Sequence, residues 1–218
     1  MTFLLCCLAG FLIGGLPFGY LVGRVILHDD IRNHGSGNIG ATNVARVIGW
    51  KWGGLVLLLD AVKGLLPTWA AAEIATSQLP DSQHIHLPVA VGICTIVGHM
   101  YPVYLKLRGG KGVATALGVV VLLAPQAVLI ALGAFILVVA TTKLVALASI
   151  AAAVSFGVAE LWLLGESVRE PKFAGMVAFA IGIPLLIIWR HRGNVGRILK
   201  GTEPKIGKRK PPEDQPPA

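Results

Sequence analysis

Charge is what this chain lacks. Only 14% of its 218 residues are Asp, Glu, Lys or Arg, against about 25% in a soluble globular domain. Hydrophobic residues make up 55% and mean hydropathy is +0.73, so a soluble α/β domain is excluded. Cysteine is also scarce. Cys6, Cys7 and Cys94 are the three present, each in an apolar run and without metal-ligand spacing, which leaves them as small packing residues. The fifth residue after each of the six histidines is never aspartate, so a His-x-x-x-x-Asp general-base pair is missing. The sequence contains no cluster of metal-ligand type and suggests no Ser-His-Asp set; no metal and no cofactor are expected.

What is present is a series of apolar runs. Met1–Gly23 carries no charge and at 23 residues exceeds the roughly 20 needed to cross a hydrocarbon core. It lacks the basic n-region of a secretory signal and is expected to remain as a first membrane helix. Further runs lie near 53–72, 87–104, 113–142, 144–164 and 173–189.

The connections differ in charge. Segment 28–52 holds Arg32, Arg46 and Lys51, segment 105–112 holds Lys106, Arg108 and Lys111, and eight Lys or Arg lie within Arg190–Lys210. Segment 73–86 has Glu73 and Asp81 with no Lys or Arg, and segment 165–172 is balanced. The positive-inside rule then places the basic segments and the C-terminus in the cytoplasm and the N-terminus outside. From Lys111 to Arg190 the chain must cross an even number of times, yet three runs are visible. Splitting Val113–Thr142 at Pro125 gives four crossings and seven helices in all; five crossings with one re-entrant segment is the alternative. The expected fold is an all-α integral membrane protein, one domain over residues 1–204. A basic, then Pro-rich tail, 205–218, is expected to be disordered.

Three of the basic segments share a composition. HGSGNIGATNVAR (34–46), GHMYPVYLKLRGGKGVAT (98–115) and HRGNVGRILKGTEPK (191–205) combine Gly, hydroxyl or amide residues, and Lys or Arg. Glycine lets backbone N–H groups approach an anion, and Ser, Thr and Asn add neutral donors. Arg supplies a bidentate fork for phosphate and Lys a point charge. Gly35-x-Gly37-x-x-Gly40 also spells a dinucleotide fingerprint, but that fingerprint needs a preceding strand and an acid about 20 residues on. Here a membrane run precedes it, and Asp60 lies inside the next apolar run. Gly110-Lys111-Gly112 lacks the hydroxyl residue of a Walker loop. Basic residues flanking apolar runs also argue against nucleic acid as a partner. Within the run 53–72, Asp60 and Lys63 stand at i, i+3 and can pair along one helix face; intramembrane charges serve function or brace a site. From composition alone, a membrane enzyme acting on phosphate esters and a transporter of a phosphorylated solute remain alternatives. A membrane anchor with a lipid-binding tail accounts for Lys205–Lys210 only.

These motifs, with DAVKG between the first and second, closely resemble the bacterial acyl-phosphate–glycerol-3-phosphate acyltransferases in order and separation. The resemblance implies an inner-membrane enzyme with its site facing the cytoplasm. It implies transfer of a fatty acyl group from acyl phosphate to the 1-hydroxyl of glycerol 3-phosphate, giving lysophosphatidic acid and phosphate, with no obligate protein partner. It further implies that Ser36, Arg46 and Lys111 hold phosphate and position the reacting groups, and that His191 and Asn194 stand in the site. Thr42, Asn43 and His99 would shape the pocket, and Gly35, Gly37, Asn38, Gly109, Gly110 and Thr115 complete the first two motifs. Arg197 from the third motif and Ser149 in KLVALAS are further candidates, while Ala146 replaces a polar residue common in the family. The proton acceptor is left open between His191, His99 and a substrate phosphate oxygen.

Overall fold

A computed structural model describes residues 1–207. It is all-helical, with no strand among the described residues. The helices, in order, are α1 (Thr2–Gly14), α2 (Phe18–Val22), α3 (Ala41–Val47), α4 (Trp50–Gln78), α5 (His86–Met100), α6 (Val113–Leu123), α7 (Pro125–Thr142), α8 (Val145–Leu164), α9 (Ala174–Arg190) and α10 (Arg192–Leu199). Six stretches among these residues are long and apolar enough to cross a membrane: Thr2–Leu27, Trp50–Gln78, His86–Leu105, Pro125–Thr142, Val145–Arg169 and Pro171–Arg190.

The break at Pro125 is there. Ala124 leaves helical geometry and Pro125 opens α7 at its first position, where proline's missing N–H costs nothing. The piece before it, α6, has 11 residues, about 17 Å at 1.5 Å per residue, short of the roughly 30 Å hydrocarbon core. The first apolar run differs from the single helix expected of it. It is interrupted between Gly14 and Phe18, at Gly15–Pro17, and closes in a π-helical turn over Gly23–Leu27. Pro17 cannot donate to the helix ladder, and at this break the Leu16 carbonyl accepts from Lys63 Nζ at 2.6 Å and from Phe18 N–H at 3.2 Å. Within a membrane every such carbonyl must find an internal partner. Lys63 also contacts Asp60 Oδ1 at 2.8 Å, both side chains 3% exposed. The i, i+3 pair therefore ties α4 to the break after α1.

Small residues set the helix spacing. A Cβ on Gly118 of α6 would collide with the backbone carbonyl of Ala61 on α4, and one on Gly64 with the carbonyl of Thr115. Lacking those atoms, α4 and α6 touch backbone to backbone. That contact fixes the start of α6, and with it Lys111 two residues before. The largest apolar cluster lies between α5, α6, α7, α8 and α9, with Val119, Ala127 and Phe179 wholly buried. Of the tail expected from residue 205, Lys205–Gly207 is described, with Ile206 N–H donating to the Lys143 carbonyl at 2.9 Å; the remainder lies outside the described residues.

Candidate active site

The three basic segments meet. The loop before α3, the loop before α6 and the α9–α10 junction enclose one end of a cavity of about 320 Å³. Ser36, Asn38, Thr42, Asn43 and Arg46 line it from the first segment, His99, Lys111 and the first turn of α6 from the second, and His191, Asn194 and Glu203 from the third. The N-terminus of α6 thus presents its unpaired N–H groups and positive dipole end to the same space. The other end is apolar. It runs between α6, α7, α8 and α9, past Ala131, Ala153 and Ile183.

A hydrogen-bonded chain crosses the polar end. Lys111 Nζ donates to Asn194 Oδ1 at 2.6 Å, Asn194 Nδ2 to Glu203 Oε1 at 2.7 Å, and Arg197 Nε to Glu203 Oε2 at 2.7 Å. Burial brings the Lys111 ammonium down to about 8; the Glu203 carboxylate opposes this, while Arg197, Arg46 and Arg190 add to it. Arg46 is likewise lowered by burial, but arginine stays charged at any working pH. His191 is 2% exposed. Its Nδ1 lies 2.8 Å from the Ile187 carbonyl, and since a carbonyl only accepts, Nδ1 carries the proton and Nε2 keeps its lone pair. Burial, then the Lys111 charge, brings His191 down to about 4, so the imidazole is neutral at physiological pH.

Not every expected residue faces the cavity. Gly35 has φ +60°, and a Cβ there would strike Asn43 Oδ1. Asn43 in turn accepts from Ser36 N–H at 2.7 Å and donates to the Asn38 and His34 carbonyls at 2.8 and 3.0 Å. Its amide is spent on holding the first loop, so Ser36 is presented by Asn43 rather than accompanied by it. Gly110 backs onto the ring of His99, where a Cβ would collide with Nε2. Thr115 is wholly buried at the α4–α6 contact. Arg197 stands behind Glu203 and outside the lining, and Gly37 and Gly109 border a neighbouring polar hollow of about 570 Å³ that shares Asn38. Ser149 lines the cavity with its hydroxyl donating to the Val145 carbonyl at 2.8 Å, one turn below Ala146.

Two residues of the site escaped the sequence reading. Glu203 is the carboxylate that organises Asn194 and Arg197; its signal was to be the one acid within the three basic segments. Arg190 donates from Nη2 to the carbonyls of Gly109 and Gly110 at 3.0 and 2.8 Å and from Nε to Gly110 at 3.1 Å, and so anchors the loop bearing Lys111. Its signal was weaker, because an arginine ending a membrane run reads as topology.

The family model described as glycerol-3-phosphate acyltransferase matches residues 4–201. The glycerol-3-phosphate acyltransferase of Myxococcus xanthus is 47% identical over 197 residues, 90% of this chain and 95% of that one. Its counterpart in Syntrophotalea carbinolica is 43% identical over 202 residues, 93% and 96% of the two chains. Among solved structures, the glycerol 3-phosphate form of PlsY (YgiH), an integral membrane glycerol 3-phosphate acyltransferase, superposes with a TM-score of 0.83 at 36% identity, covering 95% of this chain and 96% of that one. Its lysophosphatidic acid form superposes at 0.79. With the three basic segments gathered at one cavity, and a family match that spans the first two and reaches residue 201 of the third, the chain belongs to the glycerol-3-phosphate acyltransferase family.

Proposed function

We propose that this protein transfers a fatty acyl group from acyl phosphate to the sn-1 hydroxyl of glycerol 3-phosphate, releasing lysophosphatidic acid and inorganic phosphate. The reaction takes place at the cytoplasmic face of a bacterial inner membrane, with the N-terminus of the enzyme outside. The observation that carries the reading is the single cavity joining a cationic, hydroxyl- and amide-lined end to an apolar bore inside the helix bundle. A donor with a phosphate head and a fatty tail matches both ends at once.

In this reading Arg46 and Lys111 neutralise phosphate charge, Ser36 and Thr42 add hydroxyl donors, and the polar hollow beside Asn38 admits glycerol 3-phosphate from water. Asn194 and Glu203 hold Lys111 in place. The glycerol hydroxyl attacks the acyl carbonyl. A C–O bond forms to the glycerol oxygen, the bond from the acyl carbon to the phosphate oxygen breaks, and the hydroxyl proton leaves with the phosphate. His191 Nε2 can orient that hydroxyl as an acceptor, but an imidazole at about 4 is a weaker base than a phosphate oxygen with a second pKa of about 6. Because the donor already carries a good leaving group, positioning and preorganised charge supply most of the rate.

The test is purified protein in lipid or detergent with palmitoyl phosphate and glycerol 3-phosphate, following phosphate and lysophosphatidic acid together, with acyl-CoA as a parallel donor. Stoichiometric appearance of both products from acyl phosphate, lost in Lys111→Ala, supports the reading. Activity with acyl-CoA alone overturns the donor, and silence with every donor from folded protein turns attention to transport.

A further inference from the structure

We propose that Phe156 sets the acyl-chain length this enzyme prefers, as the floor of the cavity against which the methyl end of the chain rests; the proposal builds on the acyl-transfer reading above. Followed from the end of each helix nearest the basic segments, the last lining residue is Val120 on α6, Val128 on α7, Phe156 on α8 and Ile183 on α9. All four are buried, at 4–6% exposure. Before that point α6, α7 and α8 give the bore Ala116, Ala131, Ala152 and Ala153, beside larger side chains such as Leu117, Leu132 and Phe135. Along α8 the lining thus passes from Ala152 and Ala153 to a phenyl ring.

That ring has no room to yield. Phe179, wholly buried, meets Phe156 edge to face, with centroids 5.8 Å apart and planes at 89°; this is a favoured aromatic geometry. Just past the floor, Gly157 brings α8 against the Ala180 carbonyl of α9, and the buried Ala124 turn joins α6 to α7. From Ser149 to Phe156 along α8 is about 10 Å at 1.5 Å per residue. Methylenes that fill this depth exchange water or lipid for close packing, and one more than it holds must displace the ring or bend the chain.

The experiment compares kcat/KM for acyl phosphates of 12, 14, 16 and 18 carbons in wild type, Phe156→Ala and Ala153→Leu. Phe156→Ala lowers the floor and Ala153→Leu raises it by one turn. The expected result is a shift to longer chains in the first and to shorter chains in the second, each changing the C18 to C12 ratio by roughly tenfold, the scale of pocket discrimination by chain length. Should Phe156→Ala fail to fold, Phe156→Leu gives a smaller shift in the same direction. An unchanged profile in folded, active variants overturns the proposal and places the chain end among lipids beside Leu132, which is 37% exposed. Wild-type protein inactive with every acyl phosphate overturns the acyl-transfer reading itself, and the floor with it.

Discussion

The ammonium of Lys111 donates a 2.6 Å hydrogen bond to Oδ1 of Asn194, joining two of the basic segments across 83 positions of sequence. The bond makes the two side chains one unit. Lys111→Ala is expected to lower kcat by roughly 10²–10³, the cost of removing one preorganised donor. Asn194→Ala costs less, because it leaves the charge and loses its aim. The double variant should be no worse than Lys111→Ala alone, since interacting residues are non-additive. A double-mutant cycle on kcat/KM checks this, and additive losses would show that the pair acts as two independent groups.

The pH profile should have an alkaline limb set by Lys111. With a value of about 8, its charge is present below pH 8 and lost above it, so kcat/KM falls through pH 8–9. Lys111→Arg, always charged, should flatten that limb. Glu203 raises the Lys111 value, so Glu203→Gln should move the limb toward lower pH. Stability has the opposite sign. The folded value lies below the ordinary 10.5, so the unfolded chain binds more protons between about 8 and 10.5 and the contribution of Lys111 to stability rises with pH there. Initial rates and thermal unfolding across pH 7–10 separate the two effects.

Arg190 is expected to act through the loop it anchors. Arg190→Ala frees the Gly109 and Gly110 carbonyls, and loss of loop order should lower kcat by about tenfold or more while the helices stay folded, since small misplacements near the chemistry are costly. Arg190→Lys should recover little, because an ammonium lacks the planar fork that reaches both carbonyls. Steady-state rates beside circular dichroism and gel filtration distinguish this from unfolding.

The Asp60–Lys63 pair should behave as a buried ion pair. Lys63→Met leaves the Asp60 carboxylate without its cation and the Leu16 carbonyl with only the bond from Phe18 N–H, a loss of about 3–5 kcal/mol. Adding Asp60→Asn removes the orphaned charge and should restore part of that stability. Thermal unfolding in a fixed detergent checks the order of the three variants.

Much of this molecule was legible in its residues. The runs 53–72, 87–104, 144–164 and 173–189 appear as α4, α5, α8 and α9 with boundaries moved by six residues or fewer, because hydropathy over a long window is a direct statement of what a bilayer tolerates. The parity of the basic segments pointed to the break at Pro125, and a helix ends there. The interruption at Gly15–Pro17 was hidden, since an unbroken apolar run masks a backbone whose polar groups are satisfied from elsewhere, here by Lys63. Asn43 and Gly110 belong to motifs expected to build the pocket, and both are placed as framework: the Asn43 amide holds the first loop and Gly110 backs onto the His99 ring. Residue type reports what a side chain can donate, not what it is already donating to.

The sequence by itself determined that this chain is a helical membrane protein and that the residue types suited to holding an anion are concentrated in three basic segments, because composition, periodicity and the requirements of an anion are local properties. Only the tertiary structure decided that Lys111, Asn194 and Glu203 form one chain of hydrogen bonds, that Arg190 holds the loop carrying Lys111, and that Phe156 lines the same cavity as Lys111. Those facts depend on how closely helices distant in sequence approach one another, and the backbone contact of α4 with α6 at Gly64 and Gly118 sets that distance.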